Sequence, residues 1–189
     1  MLRESLERQR VRRSIREAEG FLELATLLDD GGGLDQNRKR ELADLCIRAL
    51  ERIEKPGNHL AQVIYMRGQA HRLAERFQQA ISEFQVAWRM VPGNIHTSLA
   101  LGWCFKRIGQ LSLAVDALQT AVAIDNSVGI LHYNLACYLA LSGQSSPSLL
   151  HLARAIELDN RFRQLAADES DFRSIRNEPD FRELANCAV

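Results

Sequence analysis

The sequence predicts an all-α chain of stacked helix hairpins, a solenoid, and three observations carry that prediction. A residue pattern returns every 34 positions, small side chains recur in fixed columns of the pattern, and turn-rich stretches separate helical segments of roughly 12 to 15 residues. "VDALQTAVAIDN" at 115–126 and "LLHLARAIELDN" at 149–160 show the interval most plainly.

The chain opens on a basic stretch, where Arg3, Arg8, Arg10, Arg12, Arg13 and Arg16 outnumber Glu4, Glu7 and Glu17. Leu2, Leu6, Val11, Ile15, Ala18 and Leu22 form an apolar side at helical spacing, so one long helix is expected to run into the first hairpin. That side suits packing or a second protomer. Charges throughout and no apolar core segment argue against a secretory signal. Gly31, Gly32 and Gly33 then supply a turn, and no Gly-Lys-Ser/Thr follows to make it a phosphate loop. A second helix through "QNRKRELADLCIRALERIEKPGN" completes a divergent hairpin, bounding a first segment of 1–60.

Three clearer units follow at 61–94, 95–128 and 129–162. Gly68, Gly102 and Ala136 share one column, and Ala80, Ala114 and Ser148 another. Small residues at fixed positions are what two helices need to cross at short distance. Gly68 forgoes about 1 kcal/mol of helix propensity against Ala, which favours a contact role. Pro92 stops the helix before it, since proline cannot continue one; Asn126 and Asn160 are softer stops. After 162 the period breaks. Phe172, Ile175, Phe181 and Leu184 stand among charges, so 163–189 is expected to cap the array with short helices. Asp168, Glu169 and Asp171 lack the ligand order of a calcium loop and are expected at helix starts.

On Gly68, Ala80, Phe84, Ala87 and Pro92, then Leu101, Gly102, Phe105, Ala114 and Ala121, then Leu135, Ala136 and Ala155, the chain resembles the tetratricopeptide repeat. Ile64 and His71 stand where that family usually has Trp and Tyr. The tail resembles the one that closes some bacterial tetratricopeptide proteins. The resemblance implies a right-handed superhelix of helix-turn-helix repeats with C-terminal capping helices. It also implies a concave groove lined by Gln62, Tyr65, Gln69 and Arg72, then His96, Leu99, Trp103 and Lys106, then Ile130, Tyr133, Cys137 and Ala140. Trp103 and Tyr133 could equally pack between helices or under the cap. Relatives that clamp a chaperone's C-terminal carboxylate use Lys and Asn, then Asn, then Lys and Arg; Tyr65 and Gln69, then Ala100, then Ile130 and Asn134 stand there, only Asn134 being of the right kind, so no clamp is expected.

Composition bounds the partner. With 189 residues, 24 basic against 24 acidic and 46% apolar, no net field draws the chain to nucleic acid or an anionic membrane. No apolar run reaches membrane-span length, and the scattered Cys46, Cys104, Cys137 and Cys187 read as reduced, buried thiols, so a cytoplasmic protein is expected. His59, His71, His96, His132 and His151 form no zinc spacing, and "GQSSPS" is no nucleophile elbow. Neither a catalytic role, nor a metal, nor a cofactor is expected. The expectation is a scaffold, adaptor or co-chaperone that grips a partner's peptide carrying apolar and acidic groups. The alternative is a chaperone of secreted proteins that forms a homodimer through residues 1–20; an uncharacterised enzyme comes third.

Overall fold

A computed structural model describes residues 2–30 and 33–185, and among them ten α-helices and no strand. Side chains are described from Ser5 to Leu28 and from Gly33 to Ala185, so the Gly31 and Gly32 turn, Cys187 and the side chains of Leu2, Arg3 and Glu4 lie outside the described residues. The chain divides into two units, Met1–Pro92 and Gly93–Val189. The first contains α1 (Leu2–Asp30), α2 (Gln36–Glu51), a 3-10 turn (Gly57–His59), α3 (Leu60–Leu73) and α4 (Phe77–Met90). The second contains α5 (Ile95–Arg107), α6 (Leu111–Ile124), α7 (Gly129–Leu141), α8 (Ser145–Leu158), α9 (Arg161–Asp168), a 3-10 turn (Ser170–Phe172) and α10 (Pro179–Ala185). The basic stretch is thus one 29-residue helix.

Local chemistry sets the helix ends. Asp35 caps α2 by accepting from the backbone N–H groups of Asn37 (2.9 Å) and Arg38 (3.1 Å). Asn94 caps α5 in the same way through Thr97 N–H at 2.9 Å. Three turns inside the hairpins share one hydrogen-bond pattern. Arg76, Gln110 and Gln144 donate their N–H to the carbonyls of His71, Phe105 and Leu139, while Glu75, Gly109 and Gly143 donate to Arg72, Lys106 and Ala140. This is a Schellman closure, and it requires the left-handed backbone at the residue just past the helix. Gly109 (φ 75°) and Gly143 (φ 77°) adopt that conformation without strain. Glu75 adopts it at φ 59° with a side chain attached.

In the first unit the core draws on Val11, Ile15 and Ala18 of α1, Ala43, Cys46, Ala49 and Leu50 of α2, and Val63, Met66 and Ala70 of α3. The apolar side of α1 from Val11 onward is therefore buried within its own unit. Against α4, a Cβ at Gly68 would sit 2.5 Å from the Phe84 ring, which is fully buried. The glycine is there because the ring lies where a methyl would be.

The second unit repeats the device. A Cβ at Gly102 would meet Tyr138 at 3.1 Å and Leu118 at 3.2 Å, and Ala114, Ala136 and Ser148 are fully buried. Ser148 takes the alanine column because its hydroxyl donates to the Ala136 carbonyl at 2.7 Å across the crossing. The C-terminal segment folds back on α7: Tyr133 stacks on Phe162 (ring centroids 4.9 Å) and meets Phe172 edge-on (6.0 Å), and Phe172 packs on Phe181 (5.4 Å). Asp171 is buried and ion-paired with Lys106, whose ammonium lies 5.7 Å from the Tyr138 ring centre. Of Asp168, Glu169 and Asp171, Glu169 caps the 3-10 turn by accepting from Asp171 N–H at 3.2 Å, and Asp171 lies in that first turn. Asp168 closes α9, and Asp171 is an interior partner, because the turn aims it at a cation on α5.

Candidate functional site

Tyr65, Gln69 and Arg72 stand at i, i+4 and i+7 on α3, a spacing that puts all three on one helix face. They line one cavity of about 550 Å³ together with Leu73 and with Leu22, Glu23, Thr26 and Leu27 of α1. Gln69 joins the other two: its amide donates to the Tyr65 hydroxyl at 2.5 Å, and its carbonyl accepts from Arg72 Nε at 2.8 Å. Because Tyr65 oxygen accepts that bond, its own proton is available to an incoming acceptor. The ring is fixed from below by Phe84, 5.6 Å between centroids. The result is an apolar trough of Leu22, Leu27 and Leu73 with a pre-ordered polar edge. The α1 contribution escapes a reading from repeat columns alone, since α1 belongs to the divergent hairpin; "FLELATLL" carried the signal in its doubled leucines.

The second unit does not present the face expected of it. Tyr133 and Cys137 are buried beneath the C-terminal segment, Ala140 accepts from the Ser174 hydroxyl at 3.2 Å, and Lys106 is held by Asp171. Tyr133, Cys137 and Ala140 are interior and Lys106 is half-buried in an ion pair, and the reason is occupancy in cis: the tail places an acidic and an aromatic side chain on the α5 and α7 face. Burial raises the Tyr133 and Tyr138 hydroxyls and the Cys137 thiol above their usual ranges, as it raises Cys46 to about 12. Cys104 is buried as well, so the described thiols are unreactive packing groups. Leu99 and Trp103 are half-buried on α5, with the Arg107 guanidinium 5.5 Å over the indole.

Two histidines meet across the α7–α8 hairpin. His132 Nε2 donates to the Asn126 carbonyl at 3.1 Å, so its Nδ1 accepts from His151 Nδ1 at 2.9 Å. Burial and the neighbouring His132 hold the His151 pKa below the ordinary histidine range, and burial lowers His71 likewise. Asp44 is held low by its hydrogen bond from Arg76 at 2.7 Å. Among the described residues, no group of three or more His, Cys, Asp or Glu side chains is placed to hold a metal ion, and no helix is long and apolar enough to cross a membrane.

No protein-family model matches the chain, and no characterised protein matches it by sequence. Solved structures do. MamA residues 41 to the end from Desulfovibrio magneticus RS-1 superposes with a TM-score of 0.62 at 18% identity, over 90% of each chain. YrrB, described as a TPR protein with an unusual peptide-binding site, gives 0.59 at 18% identity, over 85% of this chain and 88% of its own. A further MamA crystal structure gives 0.57 at 14% identity, over 79% of this chain and 92% of that one. Likeness at such identity speaks for the backbone arrangement: this chain has the all-α fold of the tetratricopeptide-repeat proteins.

Proposed function

We propose that this chain is a non-catalytic protein-interaction module, an adaptor, scaffold or co-chaperone, that holds a peptide segment of a partner against α1 and α3. The observation that carries the reading is the convergence of Tyr65, Gln69 and Arg72 with Leu22, Leu27 and Leu73 on one open cavity. Aromatic and arginine side chains fixed in advance lose little entropy on binding, and leucines supply the apolar area. The Tyr65 hydroxyl and the Arg72 guanidinium favour a segment that carries carboxylates or backbone carbonyls beside its apolar side chains. The peptide-binding site named for YrrB, a protein of similar fold, supports the same mode.

The test is selection of a displayed peptide library on the full chain, followed by calorimetric titration of the recovered peptides. Tyr65→Ala with Arg72→Ala is expected to weaken them at least about tenfold, roughly 1.4 kcal/mol, with the helical signal unchanged. Equal affinity in the double variant would refute the site. Tyr133→Ala, by contrast, removes a core residue and cannot report on binding.

A further inference from the structure

At the other end of the first unit, a second cavity of about 570 Å³ lies between the N-terminal third of α1 and the segment 55–59. Its walls include Arg8 and Arg12, one helical turn apart on α1, and Lys55 from the loop after α2; among the described residues Glu7 is the sole carboxylate lining it, and Val11 adds an apolar contact. None of Arg8, Arg12 and Lys55 has an ion-pair partner among the described residues. Nearby, Arg52 pairs with Glu17 at 2.7 Å, and Gln62 donates to Glu19 at 2.9 Å. His59 completes the lining. Because the Gln62 amide N–H donates to Glu19, its carbonyl accepts from His59 Nδ1 at 3.2 Å, which leaves Nε2 for a ligand.

We propose that this cavity binds a phosphate monoester dianion. Three cations against one carboxylate leave an excess of about two positive charges, which a dianion neutralises. Two guanidinium groups offer forked N–H pairs that match phosphate oxygens, and Lys55 adds a point charge from the opposite wall. The imidazolium form of His59, in which both ring nitrogens are donors, would direct its Nε2–H at a phosphate oxygen. The site is separate from the α1–α3 trough and does not depend on it.

Calorimetric titration of the full chain with O-phosphoserine and with inorganic phosphate tests the proposal. Saturable binding is expected, weakened at least about tenfold in the Arg8→Gln/Arg12→Gln double variant and unchanged in Arg52→Gln. All three positions are exposed, so the helical signal should persist. A short phosphoserine peptide separates the sources of the same chemistry: tighter binding than free phosphoserine supports a phosphorylated protein, and equal binding supports a small phosphorylated metabolite. No saturable binding of any phosphate probe, or equal weakening by Arg52→Gln, overturns the proposal.

Discussion

At the scale of single residues, glycine in this chain has opposite meanings in neighbouring helices. Gly68 faces the Phe84 ring with no room for a methyl, and because the ring is fully buried it cannot swing aside. Gly68→Ala is expected to lower stability by about 1–3 kcal/mol in urea unfolding, despite the helix propensity it gains. Gly20, on α1, has nothing within 4 Å of an added Cβ, so Gly20→Ala should instead raise stability by about 1 kcal/mol. A matching sign for both substitutions would show that packing does not govern the small columns. Glu75 offers a complementary measurement. Replacing it with Gly or with Ala removes the same carboxylate, so the difference between the two variants isolates the backbone. Gly is expected to be the more stable by about 1 kcal/mol, because φ 59° strains any residue with a Cβ.

At the scale of elements, the α7–α8 hairpin contains a proton-sensitive contact. His151 Nδ1 donates to His132 Nδ1, and the burial of this contact disfavours a charged His151 ring. With the folded pKa of His151 below its unfolded value, the unfolded chain binds the extra proton first. Its contribution to stability is therefore present above the ordinary histidine range near pH 6.5 and is lost as pH falls from about 7 toward 5. Thermal unfolding followed across that window should show a falling midpoint whose slope lessens in His151→Gln, the remainder coming from His71. A midpoint independent of pH between 7 and 5 in the wild type would show that His151 does not titrate in the folded chain as its burial implies. The C-terminal segment makes the corresponding point for α5 and α7. A helix face composed to receive an aromatic and a carboxylate receives Phe172 and Asp171 of the same chain, and its lining residues become core.

For the whole molecule, equal numbers of basic and acidic residues leave recognition to local arrangement rather than to net field. Both sites argued above lie in the first unit and both use α1, whose residues from Val11 onward are anchored by its own core. A dimer through residues 1–20 would have to rely on what precedes Val11, where Leu6 is the exposed apolar side chain among the described residues. Light scattering of the full chain is accordingly expected to report a monomer. A stable dimer that dissociates on Leu6→Glu would reverse this and favour the secretion-chaperone alternative.

The legible part of this protein was its repetition. A 34-residue interval, glycine and alanine in fixed columns, and Pro92 as a stop are local facts, written in residue spacing because each helix must present the same small face to its neighbour. They determined the helices, the hairpins and the buried columns, and they placed Tyr65, Gln69 and Arg72 on one helix face. Tertiary structure decided what stands in front of that face and of its counterparts. Tyr133, Cys137 and Lys106 occupy columns like those of Tyr65, Gln69 and Arg72, yet the later C-terminal segment covers them, while Leu22 and Leu27 from outside the regular repeats complete the open trough. Periodicity reports contacts that recur at constant separation along the chain. Cover supplied by an unrepeated segment has no such period, so only the folded molecule separates a groove from a core.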